Sequence, residues 1–112
     1  MADLPVALSA EDNKLVVLAR ATRARTRAAE GAAVRDSDGR TYAAATVDLP
    51  SLQLSAVQVC IGMAVASGSR GLEALVLLGD AEALTEPDAA AVRDFAGEGV
   101  VIHLADAAGT LR

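Results

Sequence analysis

Two apolar runs in the second half of the chain constrain its fold more than any other feature. Residues 72–79, LEALVLLG, and residues 100–105, VVIHLA, have the length of strands and are continuously apolar, as strands covered on both faces are. Between them, residues 86–99, EPDAAAVRDFAGEG, read as a helix with Pro87 in its first turn and two glycines at its exit. This alternation of strand, helix and strand predicts a mixed sheet with crossover helices.

The first half of the chain predicts a helix, a hairpin and a second helix. Ser9 is placed to cap the first helix, and Gly31 to end it. Asp38 and Gly39 form a strong turn signal between two strands. Residues 52–66, LQLSAVQVCIGMAVA, are apolar nearly all round, which is typical of a helix buried on several sides, in a core or in a subunit contact. The predicted order is α-β-β-α-β-α-β, and residues 106–112, DAAGTLR, resemble a turn and the beginning of one more strand.

The composition fits one compact domain, residues 1–112, with residues 1–9 as a loose N-terminus. Hydrophobic residues make up 53% of the chain, and its aromatic residues are Tyr42 and Phe95 alone, so the core must be aliphatic. The single cysteine cannot form an internal disulfide, and no apolar run reaches the roughly 18–20 residues of a membrane span. Nine of the ten basic residues are arginine, a bias typical of GC-rich bacterial genomes. We therefore expect a soluble, cytoplasmic, bacterial protein.

The charge of the chain disfavours nucleic acid as a partner. The formal net charge is −5, so the surface as a whole does not attract a phosphate backbone, and base stacking lacks its usual aromatic side chains. Arg20, Arg23 and Arg27 share one side of the first predicted helix. Such a row is most often a solvated face, and the alternative is contact with an acidic partner or with RNA.

Side chains that bind metals or carry out nucleophilic chemistry are scarce. His103 and Cys60 are the only histidine and cysteine, whereas zinc sites need three or four ligands in total. His103 lies in an apolar strand, where a structural role is expected, and Cys60 lies within an apolar helix, where a buried, inert thiol is expected. The GSRG run at residues 68–71 lacks the Lys-Ser/Thr of a phosphate-binding loop.

In the order of its segments the chain resembles the small cytidine deaminases that act on free nucleosides. That family has a strand V-G-A-A, a D-G turn, a strand ending in N-x-E, a helix opening with C-A-E, a buried strand, a helix opening with P-C-x-x-C, and a strand followed by N-x-x-G. The corresponding segments here are GAAV at 31–34, DG at 38–39, TVD at 46–48, SAV at 55–57, PDAAA at 87–91 and DAAG at 106–109. The resemblance implies a three-layer α/β/α fold with a mixed sheet of about five strands.

The resemblance also implies where a zinc centre would lie and that it has changed. In the family, three Cys/His ligands hold zinc, which activates water, and a glutamate transfers protons. The ligand positions fall on Ser55, Asp88 and Ala91, and the glutamate position falls on Val57. Because serine is a poor zinc ligand, alanine is none and valine cannot transfer a proton, we expect no zinc, no other cofactor and no deaminase activity.

The nucleoside-binding positions of the family are less altered. Thr46 and Asp48 stand where the family holds ribose, and both side chains can hydrogen-bond a hydroxyl group. Asp88 and Arg93 are further candidates for contact with a ligand, although Thr46 and Asp48 can equally serve the end of a strand, and Arg93 can face solvent. Family members form dimers or tetramers, which implies a homodimer or homotetramer through helix 52–66.

Three functions remain open. The first is a catalytically inactive sensor that binds a pyrimidine nucleoside or nucleotide in the old pocket. The second is an interaction scaffold whose pocket is filled by Val57 and Leu54. The third, residual enzyme activity, would have to rely on Asp48 and Asp88 with a hard metal, or on remaining cytidine deamination, and has few residues to support it.

Overall fold

The computed structural model describes residues 8–112. Its elements follow the order predicted in the second half of the chain and add one short hairpin in the middle. They are α1 (Ala10–Thr26), β1 (Gly31–Asp36), β2 (Thr41–Ala45), β3 (Val47–Leu49), β4 (Leu52–Leu54), α2 (Ala56–Ala66), β5 (Leu72–Leu78), α3 (Glu86–Ala96) and β6 (Val101–Ala105). Strands β3 and β4 pair only with each other, as an antiparallel hairpin.

The main sheet has four strands in the order β2-β1-β5-β6. Strand β1 is antiparallel to both β2 and β5, whereas β5 and β6 are parallel and joined through α3. The sheet is therefore mixed, with a crossover helix, as the sequence predicted. A single antiparallel bridge joins Leu111 to Ala105 at the outer edge of β6, which is where a fifth strand was expected to begin.

Helices cover both faces of the sheet, so the architecture has three α/β/α layers. On one face, Leu15, Val16 and Ala19 of α1 pack against alternate residues of β1, β5 and β6, among them Ala33 and Val76. On the other face, α2 and α3 pack against the intervening positions of β1, β2 and β5. Period-2 alternation within apolar strands thus supplies both halves of an aliphatic core.

Glycine allows α1 and β1 to approach each other closely. A Cβ atom at Gly31 would collide with the carbonyl oxygen of Ala19 and would lie 2.7 Å from the Cβ of Arg23. At the other end of β1, Gly39 adopts a φ of 86° in the turn predicted from Asp38 and Gly39. The hairpin turn inferred from the sequence is therefore confirmed. The prediction that Gly31 ends the first helix is wrong, because α1 ends at Thr26, Arg27 caps it with a φ of 55°, and Gly31 is the first residue of β1.

The prediction of one helix over residues 52–66 is wrong for its first part. Leu52–Leu54 forms β4 and pairs with Val47–Leu49, and α2 begins only after Ser55. Ser55 and Gln58 form a reciprocal capping box, in which each side chain accepts from the other residue's backbone amide. Because this box fixes the first turn of the helix, the apolar residues before Ser55 are free to extend as a strand.

The expected loose N-terminus lies mainly outside the described residues. Of residues 1–9, the structure describes Leu8 and Ser9. Leu8 packs against the core beneath α1, and the Ser9 hydroxyl accepts a 3.0 Å hydrogen bond from the Asp12 amide. This hydrogen bond confirms the predicted helix cap at Ser9.

Candidate functional site

The N-termini of α2 and α3 meet through a direct hydrogen bond between two predicted site residues. Ser55 caps α2, and Asp88 lies in the first turn of α3, which Thr85 caps. The Ser55 hydroxyl donates to Asp88 Oδ1 over 2.6 Å while its oxygen accepts from the Gln58 amide. Asp88 is only 3% exposed, so this hydroxyl provides a hydrogen-bond donor to a buried carboxylate.

The other two positions of the implied zinc centre offer no polar side-chain atom. Val57 is completely buried among the apolar residues between α2 and the sheet, and Ala91 packs against the same core from α3. The donor set is thus one hydroxyl, one carboxylate and two hydrocarbon side chains, which does not fit zinc. Within residues 8–112, no group of three or more His, Cys, Asp or Glu side chains is arranged to hold a metal ion.

A cleft of about 320 Å³ opens beside Ser55. The β3–β4 hairpin forms one wall, and the amino-terminal end of β1 forms another. The lining residues are Glu30, Thr46, Val47, Asp48, Gln53, Leu54 and Ser55. The structure therefore brings together three residues singled out from the sequence, Thr46, Asp48 and Ser55, with Asp88 directly behind Ser55.

Thr46 and Asp48 differ in how free they are to contact a ligand. The Thr46 hydroxyl accepts a 3.0 Å hydrogen bond from the Glu30 amide and lies 3.4 Å from the Glu30 carbonyl oxygen. These contacts hold the residue before β1 beside the residue after β2. Asp48 is exposed on β3, opposite Gln53 in the hairpin register, and no hydrogen bond to its carboxylate is found within the described residues.

Sequence reasoning missed Glu30. Its side chain lies over Gly79 at the end of β5, where an added Cβ would be 3.0 Å from the Glu30 Cγ. The pKa of Glu30 is raised from its ordinary value, first by burial and then by the negative charges of Asp88 and Asp80. The available signal was a single charged residue placed directly before the apolar start of β1. Nothing local indicates that it faces a cleft.

Three other residues discussed from the sequence lie elsewhere. Arg93 donates to Glu86 over 2.8 Å and borders a different groove between α3 and β6, so the structure does not bring it to the cleft. His103 Nε2 lies 2.9 Å from Asp12 Oδ2 beneath α1. Cys60 is fully buried, and burial raises the pKa of its thiol to about 12, so the thiol stays protonated and unreactive.

The fold is shared with enzymes of known structure. Cytidine deaminase from Mycobacterium leprae matches with a TM-score of 0.73 and 22% identity, over 86% of this chain and 89% of that one. Cytidine deaminase from Mycobacterium tuberculosis matches with a TM-score of 0.72 and 23% identity, over 84% and 85%. The enzyme from Burkholderia pseudomallei gives 0.70 and 22%, over 94% and 91%. At these identities the likeness concerns the fold alone.

Family membership rests on the sequence as well as on the fold. Among curated proteins, none matches the chain at a significant level. The model of the family described as cytidine deaminase-like, however, matches residues 8–109, which include all three helices and all six strands of the described residues. On this match, the chain belongs to the cytidine deaminase-like family.

Proposed function

We propose that this protein is a catalytically inactive member of its family that binds a small ligand in the cleft beside Ser55. The ligand class that fits best is a pyrimidine nucleoside, and the protein works as an oligomeric binding protein. The observation that carries the proposal is the 2.6 Å hydrogen bond between Ser55 and Asp88, beside an open cleft of about 320 Å³.

Hydrolytic deamination requires groups that the site does not offer. A zinc-dependent deaminase needs ligands to hold the ion and a carboxyl group that transfers protons to the base. The carboxylate of Asp88 accepts the Ser55 hydroxyl, and Val57 lies in the core. The two helix ends are thus joined by a hydrogen bond within the chain, and these side chains do not fit zinc-dependent hydrolysis.

The open cleft favours ligand binding over a pure scaffold. A scaffold with a filled pocket requires Val57 and Leu54 to occupy the space. Val57 packs into the core instead, and Leu54 forms part of the wall while about 320 Å³ stays free. This volume is at the lower end of the roughly 300–1,000 Å³ of small-molecule sites.

The charge of the cleft selects among the pyrimidine ligands. Asp48 and Glu30 line it, Asp88 lies behind it, and no arginine, lysine or histidine is among its lining residues. Carboxylates accept hydrogen bonds from ribose hydroxyls and amino groups, whereas a phosphate group would be repelled. We therefore favour the free nucleoside over its phosphates.

Oligomer formation through α2 is the second part of the proposal. The helix carries no charged residue, and Val65 is 54% exposed at its outer face. Leu49 and Leu52 of the neighbouring hairpin are 55% and 48% exposed. Large exposed apolar residues on adjacent elements are typical of a protein–protein contact. A homodimer or homotetramer through 52–66 is the arrangement we propose.

Thermal unfolding with cytidine, uridine and their 5′-monophosphates tests the ligand proposal. A nucleoside at about 100 times its dissociation constant stabilises the folded state by ~2.7 kcal/mol, which raises Tm by several degrees. Asp48→Ala should abolish the shift, whereas Asp94→Ala, an exposed carboxylate on α3, should preserve it. If no nucleoside shifts Tm at millimolar concentration, the scaffold replaces the binding protein as the better explanation.

A separate assay tests the inactive state. The residual enzyme predicts about one zinc ion per chain and conversion of cytidine to uridine. The proposal predicts neither, whether or not zinc is added during purification. The assignment as an inactive member would be overturned if the wild-type protein formed uridine and the Asp88→Asn variant did not.

A further inference from the structure

The carboxyl-terminal half of α1, together with the residue that caps it, carries a cluster of arginines that do not line the cleft. Four arginines occur between residues 20 and 27, and we call these four, Arg20, Arg23, Arg25 and Arg27, the arginine surface. Arg20, Arg25 and Arg27 are exposed, and Arg23 is half-buried. The chain as a whole has a net charge of −5, so this surface is a local exception to its charge.

The acidic side chains of the protein do not neutralise this surface. The ion pairs found within residues 8–112 use Arg35, Arg93 and His103 as their basic partners. Arg23 donates from Nε to the carbonyl oxygen of Ala29, which orients it but leaves its charge uncompensated. Arg23 and Arg25 in the last helical turn and Arg27 at the C-cap also interact favourably with the helix dipole, but its partial charge does not neutralise three guanidinium groups.

The spacing of the arginines matches a regular line of negative charge. Arg20 and Arg27 are separated by about 10 Å along the helix, at roughly 1.5 Å per residue. A nucleic-acid strand presents one phosphate for roughly every 3.4 Å of its axis, so such a length of backbone offers a charge to each of Arg20, Arg23 and Arg27. Ala21 and Ala24 are exposed between them and leave room for a backbone to approach.

We propose that the arginine surface binds the phosphodiester backbone of nucleic acid. Arginine is suited to this contact because its planar guanidinium group donates two parallel hydrogen bonds to one phosphate. The absence of aromatic side chains from α1 leaves no platform for bases, so the contact reads no sequence. The acidic remainder of the protein confines binding to this surface and orients the chain on its partner.

Fluorescence anisotropy with a labelled 20-nucleotide strand tests this inference. RNA, single-stranded DNA and duplex DNA are compared at 25 mM salt, since all three share the phosphodiester backbone. Arg20→Gln/Arg27→Gln should weaken binding about tenfold and make the salt dependence shallower by about 1.4 in log–log slope, at about 0.7 per lost phosphate contact. Arg23 is left unchanged because its hydrogen bond to Ala29 supports the fold.

Arg40→Gln/Arg70→Gln is the matched control, since it removes the same charge from two exposed arginines outside α1. This control should bind as the wild type does. The inference is overturned if no strand binds at 25 mM salt, or if the control loses as much affinity as Arg20→Gln/Arg27→Gln. If polyglutamate displaced the labelled RNA as effectively as unlabelled RNA does, the inference would be overturned in favour of an acidic protein partner.

Discussion

The Ser55 hydroxyl and the Asp88 carboxylate join the N-termini of α2 and α3 by a hydrogen bond of 2.6 Å. Ser55 belongs at the same time to the capping box of α2, so one hydroxyl group serves a helix end and a buried carboxylate. The sequence resemblance to the cytidine deaminases implies that both residues stand at positions where that family has zinc ligands. Their contact gives these positions a structural use that requires no metal.

Ser55→Ala should therefore cost more stability than the loss of a helix cap alone. Removing a serine or threonine cap typically costs ~1 kcal/mol. Here the substitution also deprives buried Asp88 of its hydroxyl donor, so we expect ~2–3 kcal/mol in total. Urea unfolding measures the difference. Thr85→Ala is the matched control, because it removes the cap of α3 and leaves the bond between Ser55 and Asp88 in place. Equal costs for the two variants would show that this bond contributes nothing.

Glu30 should make the folded state less stable as pH rises. Its pKa lies above 4.5 in the folded protein, because of burial and of the charges of Asp88 and Asp80. The folded state therefore binds a proton more tightly than the unfolded state, and the stability due to Glu30 is present below pH 4.5 and lost as pH rises through the folded pKa. Glu30→Gln should raise Tm at pH 7 and give little or no gain at pH 4.

The control for this pH dependence is Glu82→Gln, which neutralises an exposed carboxylate. Its effect on Tm should be small and similar at both pH values. If Glu30→Gln raised Tm by the same amount at pH 4 and at pH 7, the raised pKa of Glu30 in the folded protein would be contradicted.

Asp12 should have the opposite pH dependence. Burial tends to raise its pKa, but hydrogen bonds and charge from His103 and Arg35 outweigh burial and lower the pKa below 3.8. The stability due to Asp12 is thus present above pH 3.8 and lost as pH falls through the folded pKa. Asp12→Asn should cost ~1–2 kcal/mol at pH 7, measured by urea unfolding, and progressively less below pH 3.8. Glu11→Gln, an exposed neighbour on the same helix turn, should cost little at either pH.

The order of strands and helices was predictable because it depends on local signals. Strands β5 and β6 are continuous apolar runs, and Ser9, Asp38 and Gly39 mark a helix start and a turn through their own side chains or backbone freedom. The prediction that both strands are covered on both faces holds for β5 but is wrong for β6, which lies at the edge of the sheet with Val101 and Ile102 exposed. The β3–β4 hairpin was not predictable in this way. Its residues, such as Leu52 and Leu54, are as apolar as those of the helix that follows, and periodicity cannot separate a short strand from an adjoining helix.

The site was predictable only in part, since it depends on which side chains meet. Resemblance to a family placed Ser55 and Asp88 on matching helix starts, and their contact follows from the packing of α2 against α3. Glu30 and Gln53 reach the cleft through long-range packing that no local pattern encodes. Arg93 was predicted to contact a ligand because it lies two residues after Ala91 in the sequence. In the structure its side chain donates to Glu86 instead and does not line the cleft.

Val65→Asp should dissociate the oligomer that we propose for α2. Val65 is 54% exposed in the single chain, so a charge there does not disturb the core, but it would be costly within an apolar contact. Light scattering coupled to size exclusion should give a multiple of the chain mass for the wild type and a lower mass for the variant. Val17→Asp, at a 59% exposed valine on α1, places the same charge on the opposite layer and should leave the mass unchanged. A wild-type protein with the mass of one chain, or a Val65→Asp variant that keeps the wild-type mass, would exclude α2 as the subunit contact.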